Sequence, residues 1–297
     1  MQVIQNKQKL NPYMENVGKI TNILCLKNGN ILSISDKGEI RIFADQTYTI
    51  LSFFNDKDQH NYKCICQINT GEIFIGDSQG NIFIFGINNN NSIERINEMI
   101  EEHYSCVSKI IQLSNTKILS CSYDKTIHLY DNLKPFTTLN YLTMGHKNQI
   151  KSILELNNNK FFVSIGEDGY LTFWNIEKKY EIDKRIDLGL NKMNSEGLIQ
   201  IDNERLAIIN HSVISIFNIT ASILEFNLSE HLNQISCLLF FGSNYFYSLS
   251  EDKFIEWDVK KLTMKRFIDN NNIVNNMTFS REGEIIGVKG INIVKIS

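Results

Sequence analysis

The stretch Glu167-Asp168-Gly169-Tyr170-Leu171-Thr172-Phe173-Trp174 joins a tight polar turn to a run of β-formers that ends on a bulky aromatic. The phrase recurs along the chain as SDKGEIRIF at 35–43, DSQGNIFIF at 77–85, YDKTIHLY at 123–130, HSVISIF at 211–217, EDKFIEW at 251–257 and KGINIV at 289–294. The closing residues are Phe43, Phe85, Tyr130, Trp174, Phe217, Trp257 and Val294, spaced 42, 45, 44, 43, 40 and 37 residues apart. Self-similarity at a period of roughly 40–45 residues marks the four-stranded blade of a β-propeller.

Within each period a strand, an Asn/Gly turn, a second strand, a tight turn and the aromatic-ended third strand are followed by a looser fourth. The first repeat reads as Ile20 to Leu26, Ile31 to Ile34, Glu39 to Phe43 and an outer strand from Thr47 to Phe53. Strands apolar at nearly every position suit a sheet packed on both faces. The repeats cover residues 1–297 from end to end, which predicts one domain: an all-β, seven-bladed propeller of four-stranded antiparallel blades. Repeat seven stops short of a fourth strand, and the strand-like segment Val3 to Leu10 is predicted to supply the outer strand of blade seven and close the ring, covering an edge otherwise open to aggregation. Ser92 to Glu102 places Ile93, Ile96 and Ile100 at helical spacing, yet the outer strand of blade two has to come from this stretch, which favours a strand.

A net charge of -3 in 297 residues advertises neither nucleic acid nor an anionic membrane. The six cysteines have neither disulfide-framework nor zinc spacing; Cys64 and Cys66 are the only close pair, and no metal site is expected from them. No apolar run reaches signal-peptide or membrane-span length, so the expectation is a cytoplasmic protein with reduced cysteines and no membrane insertion. Phosphate loops, nucleophile elbows, dinucleotide fingerprints and His-pair metal motifs are missing from the sequence, and no cofactor is called for. His128, alternating with Ile127 and Leu129, reads as an exposed strand residue.

At Gly145-His146, Ser164, Asp168 and Trp174 the chain resembles the WD-repeat family of β-propellers, whose signature is a Gly-His near the blade start and a Trp-Asp closing the third strand. Trp257-Asp258 is the one literal Trp-Asp and Gly145-His146 the one literal Gly-His; His103 and His231 keep the His behind a Glu. The resemblance implies a structural hydrogen-bond network of Asp, His, Ser and Trp, expected to be complete only in blade four and approached in blade three by His103, Ser120, Asp124 and Tyr130. A catalytic triad of Ser164, His146 and Asp168 is the competing reading, disfavoured because the strand would bury the Ser beneath Trp174 and no oxyanion hole is in view. No catalytic residue is assigned.

The family resemblance further implies that partners bind where the chain follows the His and precedes the turn Asp. Those positions are Ser105 and Tyr123 in blade three, Asn148, Gln149 and Glu167 in blade four, and Asn233, Gln234 and Glu251 in blade six. The expected function is a non-catalytic protein–protein scaffold within a larger complex, binding proteins rather than nucleic acid or a small substrate. Alternatives are a substrate receptor of a cullin-type ubiquitin ligase, suggested by Trp257-Asp258-Val259-Lys260, and a propeller that binds a small ligand or performs chemistry in its channel.

Overall fold

In the computed structural model, residues 18–101, 103–131, 138–142, 145–190, 197–240, 242, 244–270, 275–289 and 292–296 are described. The chain forms two compact units, Met1–Glu102 with Asn272–Ser297, and His103–Asn271. Among the described residues every regular element is a strand.

The first unit holds blade one, β1 (Ile20–Cys25), β2 (Ile31–Ser35), β3 (Glu39–Phe43) and β4 (Ile50–Asn55); and blade two, β5 (Tyr62–Gln67), β6 (Ile73–Asp77), β7 (Asn81–Ile87) and β8 (Ile93–Glu101). The second unit holds blade three, β9 (Val107–Gln112), β10 (Ile118–Ser122), β11 (Ile127–Tyr130) and β12 (Thr138–Leu142); blade four, β13 (Ile150–Glu155), β14 (Phe161–Gly166), β15 (Tyr170–Asn175) and β16 (Glu181–Asp187); blade five, β17 (Leu198–Gln200), β18 (Arg205–Asn210), β19 (Val213–Asn218) and β20 (Ile223–Leu228); and blade six, β21 (Ile235–Phe240), β22 (Tyr245–Ser250), β23 (Lys253–Asp258) and β24 (Thr263–Asp269). Back in the first unit, β25 (Met277–Phe279), β26 (Ile285–Lys289) and β27 (Asn292–Lys295) make a further sheet. Each sheet is antiparallel, with strands in chain order.

The expectation of seven four-stranded blades is therefore corrected: among the described residues there are six four-stranded blades, and the last sheet has three strands. Among the described residues no strand pairs with the outer edge of β27, and the segment Val3 to Leu10 assigned to that edge lies outside them. Within the stretch expected to be a strand or a helix, Ile93–Glu101 forms strand β8, pairing with β7 from Ile87↔Ile93 to Asn81↔Glu101. The outer strand of blade one starts at Ile50, later than expected, because Gln46 and Tyr48 adopt positive φ in the turn before it.

Second strands such as β2 and β6 are buried at every position, as the unbroken Ile-rich runs require when both faces are covered. Side chains of adjacent blades interlock between the sheets: Leu32, Ile40, Tyr62, Phe83 and Phe85 between blades one and two, Leu171, Phe173, Leu206 and Phe217 between four and five, and Ile209, Ile216, Phe246 and Trp257 between five and six. A β-bulge recurs at the second residue of the inner strand, between Ile20 and Asn22, Tyr62 and Cys64, Ile150 and Ser152, and Ile235 and Cys237. A second bulge falls beside the phrase-closing aromatic, at Phe43, Tyr130, Trp174, Phe217 and Trp257. Bulges re-aim side chains, and these two flank the positions that carry the polar network.

Candidate partner-binding face

The network is built on paired register positions. In blade four Ser164 lies opposite Thr172 and Phe162 opposite Trp174, so the hydroxyl and the indole reach one another from neighbouring strands. Trp174 Nε1–H donates to Ser164 Oγ over 2.8 Å, and His146 Nε2 stands 2.7 Å from the same oxygen. With the indole donating, the serine proton is left for Nε2, and the Nδ1–H faces Asp168 Oδ1 at 3.0 Å. The carboxylate's other oxygen accepts the Lys147 N–H at 2.7 Å and Arg185 Nη2 at 3.0 Å. Burial opposes the charge on Asp168, but the bonds from His146 and the Lys147 N–H outweigh it and hold its pKa down at about 2.

Blade six has the same constellation, so its confinement to blade four is corrected. Trp257 Nε1–H donates to Ser248 Oγ at 2.7 Å, His231 Nε2 lies 2.6 Å from that oxygen, and His231 Nδ1 faces Asp252 Oδ1 at 3.4 Å. The chemistry needs the imidazole and not the Gly before it; Glu230 fills that position here. Burial opposes the charge on Asp252 too, and bonds from Ser250, the Leu232 N–H and His231 bring its pKa to about 2.

In blade three His103 bridges Asp124 (2.8 Å) and Ser120 (2.7 Å), and the Tyr130 hydroxyl, 3.1 Å from Ser120 Oγ, stands where the indole does elsewhere. His128, expected to be exposed, is 2% exposed, because β11 is buried on all four positions. It faces Ser120 across the strands, at the position of Thr172 in blade four, and its ring stacks on that of His103 at 3.7 Å. Burial first, then the neighbouring His103, push its pKa down from 6.5 to about 3, against the pull of Asp124.

Ser164, Ser120 and Ser248 each meet an imidazole as an activated nucleophile would, but all three are fully buried, which keeps a substrate from their Oγ. Among the described residues two clusters bring three metal-ligand types of atom within 4.8 Å of one another, His103/Asp124/His128 and Asp56/Asp58/His60. In the first both His103 nitrogens are already engaged and the two rings are stacked face to face, which turns their in-plane lone pairs away from a shared ion. In the second Asp56 Oδ2 already receives Arg95, Tyr62 and His60. All six cysteines are free thiols.

The network also fixes the chain that follows the His. The N–H groups of Tyr104, Lys147 and Leu232 donate to Oδ2 of Asp124, Asp168 and Asp252 at 3.0, 2.7 and 3.0 Å. Tyr104 is 96% and Leu232 80% exposed, so two large apolar side chains stand in water on a backbone tied at its N–H. Sequence reasoning passed over both; a large apolar residue directly after a network His was the available signal.

The expected contact residues fall into two groups. Tyr123 and Gln149, both half-buried, meet through Lys151, whose Nζ donates to Gln149 Oε1 at 2.7 Å and lies 4.0 Å from the Tyr123 ring centre. Gln149 O accepts the Glu167 N–H, Asn148 Oδ1 accepts the Gln149 N–H, and Ser105 O accepts the Ser122 hydroxyl. In blade six Asn233, Gln234 and Glu251 are exposed, with Asn233 O accepting the Ser250 hydroxyl. Blade five lies between the two groups, its β17 packing on both β13 and β21.

The model of the WD domain, G-beta repeat, matches residues 95–131, ending one residue past Tyr130. Over 59% of its length the chain is 22% identical to pre-mRNA-processing factor 19 homolog 2 of Arabidopsis thaliana, and over 58% it is 22% identical to WD repeat-containing protein 55 homolog of Dictyostelium discoideum. A 90-residue stretch, 30% of the chain, is 32% identical to human DDB1- and CUL4-associated factor 10. The matches span 34%, 41% and 16% of those relatives' lengths. The crystal structure of the WD40 β-propeller domain of Doa1 superposes with a TM-score of 0.78 at 13% identity, covering 95% of this chain and 93% of that one. The chain thus carries one matched WD repeat at residues 95–131, has the His/Ser/Asp/Trp sets of a WD-repeat blade, and resembles WD-repeat propellers in fold.

Proposed function

We propose that this protein is a non-catalytic interaction scaffold that joins other proteins in a larger complex. The observation that carries the reading is the pair Tyr104 and Leu232, nearly fully exposed and each held by a turn Asp in a network blade. Both side chains stand on a backbone already fixed by its N–H bond, so less chain has to be ordered on docking, and Tyr is a residue type enriched among interface hot spots. The name of one similar protein, DDB1- and CUL4-associated factor 10, which states an association with other proteins, agrees with it. The test is parallel affinity purification of the tagged wild type and the Tyr104→Ser/Leu232→Ser double variant, followed by mass spectrometry. The wild type should retain stoichiometric partners that the variant loses; equal recovery by both, or none by the wild type, overturns the reading.

A second reading, substrate receptor of a cullin-type ligase, is favoured by the segment similar to DDB1- and CUL4-associated factor 10 and by Lys260. Lys260 is exposed in the β23–β24 turn, where Asp258 Oδ1 accepts the N–H groups of Lys260 and Lys261. Lys260→Glu should abolish adaptor binding in a pull-down with the purified adaptor; unchanged binding removes this reading.

A further inference from the structure

The inner-strand bulge position carries the same kind of side chain in several blades. Thr21 in blade one donates to Tyr62 O at 2.7 Å and Ser108 in blade three to Ile150 O at 2.7 Å, each capping a carbonyl of the next inner strand; Ser236 in blade six donates to Leu249 O. Blades two and four break this pattern with Lys63 and Lys151, of which Lys63 is half-buried and Lys151 buried. The Lys151 side chain makes no such cap and turns to Gln149 and Tyr123.

Lys151 is only 5% exposed, and among the described residues no carboxylate pairs with it. A buried ammonium is costly without an opposite charge; an amide oxygen and an aromatic face soften the cost but do not neutralise it. The carboxylates at hand are committed elsewhere: Asp124 to His103, Thr126 and the Tyr104 N–H, and Asp168 to His146, Lys147 and Arg185. Glu167 reaches Gln149 only through its backbone N–H. On the neighbouring inner strand β9, Lys109 is half-buried and has no hydrogen-bond or ion-pair partner among the described residues. Two lysines on adjacent inner strands thus carry uncompensated positive charge in a chain of net charge -3. The holders of the Lys151 ammonium, Gln149 and Tyr123, are themselves only half-buried, so it lies one side chain beneath the surface.

We propose that the Lys151–Gln149–Tyr123 cluster, with Lys109 on the adjacent inner strand β9, accepts a carboxylate side chain from an acidic segment of a protein partner. This rests on the scaffold reading above and names the chemistry of what docks there. A carboxylate at Lys151 gains a charge-assisted hydrogen bond and supplies the missing counter-charge, and Lys109 favours a second acid along an extended peptide. A nucleic acid would call for a broader run of cations than two lysines on a net acidic chain.

The direct test is fluorescence anisotropy with a fluorescein-labelled poly-glutamate peptide against poly-glutamine of equal length and an oligothymidine. Poly-glutamate should bind, weaken as salt rises, and bind the Lys109→Gln/Lys151→Met variant at least about tenfold less tightly. Methionine keeps the length and apolar stem of Lys151, and thermal unfolding checks that the variant is folded; should it fail, Lys109→Gln alone should still cost severalfold in affinity. Poly-glutamine binding as well as poly-glutamate, variants binding like wild type, or oligothymidine binding more tightly than poly-glutamate overturns the proposal. The probe reads the lysines without any cellular partner, so it is independent of whether the scaffold reading holds. Partners captured equally by wild type and by the lysine variant would overturn acid recognition while leaving the scaffold reading intact.

Discussion

Blades two and four share strand order and register but are held together differently inside. Where blade four places Ser164, Thr172 and Trp174, blade two has Ile75, Phe83 and Phe85 at the same register positions. Blade two has no His/Ser/Trp set and packs apolar side chains against blade one instead. Its turn is still closed by an Asp: Asp77 Oδ1 accepts the N–H groups of Gln79, Gly80 and Asn81. Both blades also tie the turn to the preceding loop through backbone, by Ser78 N–H to Asn61 O and Glu167 N–H to Gln149 O. A blade therefore forms without the network. What blade four adds is a carboxylate that also holds the residue after the His, and this addition occurs in the blades that present Tyr104, Lys147 and Leu232.

The sharpest way to break the comparison is to remove the shared oxygen. Ser164→Ala leaves His146 Nε2 and Trp174 Nε1 buried without the oxygen both use, and should cost about 3 kcal/mol; in blade two Ile75→Val should cost about 1 kcal/mol. Urea denaturation of the two variants measures the difference. In the Ser164→Ala/Trp174→Phe double variant one of the orphaned groups is gone, so its loss should fall short of the sum of the single losses. Equal costs at Ser164 and Ile75 would mean that the network contributes no more than a buried methyl group.

The repeat phrases located the third strand of each sheet because a tight turn followed by a β-rich run and an aromatic is a local signal. The burial of His128 was not legible, since an alternating polar residue in a strand reads as solvent-facing unless the covering of both faces is known. Lys151 was hidden for the same reason in IKSILE, where a single Lys among apolar residues looks like a surface position. That the last repeat offers three strands of its own was legible, since no β-run follows KGINIV, whereas the partner assigned to its outer edge, Val3 to Leu10, lies outside the described residues. The Asp, His and Ser positions were legible as residue types, while the exposed residues that they anchor became visible only once the carboxylate was seen to accept two N–H groups.

Acid should separate blade three from blade four next. His128 stays neutral in the folded chain, with a pKa of about 3, whereas the unfolded chain takes up a proton as pH falls through 6.5. The stability it contributes is complete above 6.5 and is lost progressively between 6.5 and about 3, a window that opens before Asp168 and Asp252, both depressed from 3.8, begin to matter. From pH 7 to pH 5 this residue should account for about 2 kcal/mol of lost stability. His128→Thr, which copies blade four, should flatten that part of the pH profile of Tm; His231, also depressed by burial, keeps the remainder. An unchanged slope would show that the stacked ring is not what acid attacks.

A smaller effect distinguishes links between blades from links within one. The last residue of an inner strand holds the N–H that opens the first turn of the preceding blade: Gln67 Oε1 for Lys27, Glu155 Oε2 for Ser114 and Gln200 Oε1 for Asn157, at 2.9, 2.8 and 2.8 Å. Glu155 also receives the Ser114 hydroxyl. Glu155→Ala should cost about 1 kcal/mol, and hydrogen exchange should speed up at Ser114 in blade three while the core of blade four keeps its protection. Exchange that accelerates throughout blade four would instead place the link within the blade.

The finest division is between the tyrosine and tryptophan forms of the network itself. Tyr130→Phe removes a hydroxyl 3.1 Å from Ser120 Oγ, but Ser120 keeps His103 at 2.7 Å and the ring keeps its packing, so the loss should stay below about 1 kcal/mol. Trp257→Phe removes an N–H donor and also shrinks a fully buried ring stacked on Phe246, so a packing loss adds to the lost bond and the cost should be roughly 2 kcal/mol. The two variants measured side by side by urea denaturation resolve this. If they cost the same, the smaller ring adds nothing to the lost bond, and the stacking of Trp257 on Phe246 contributes no measurable stability in blade six.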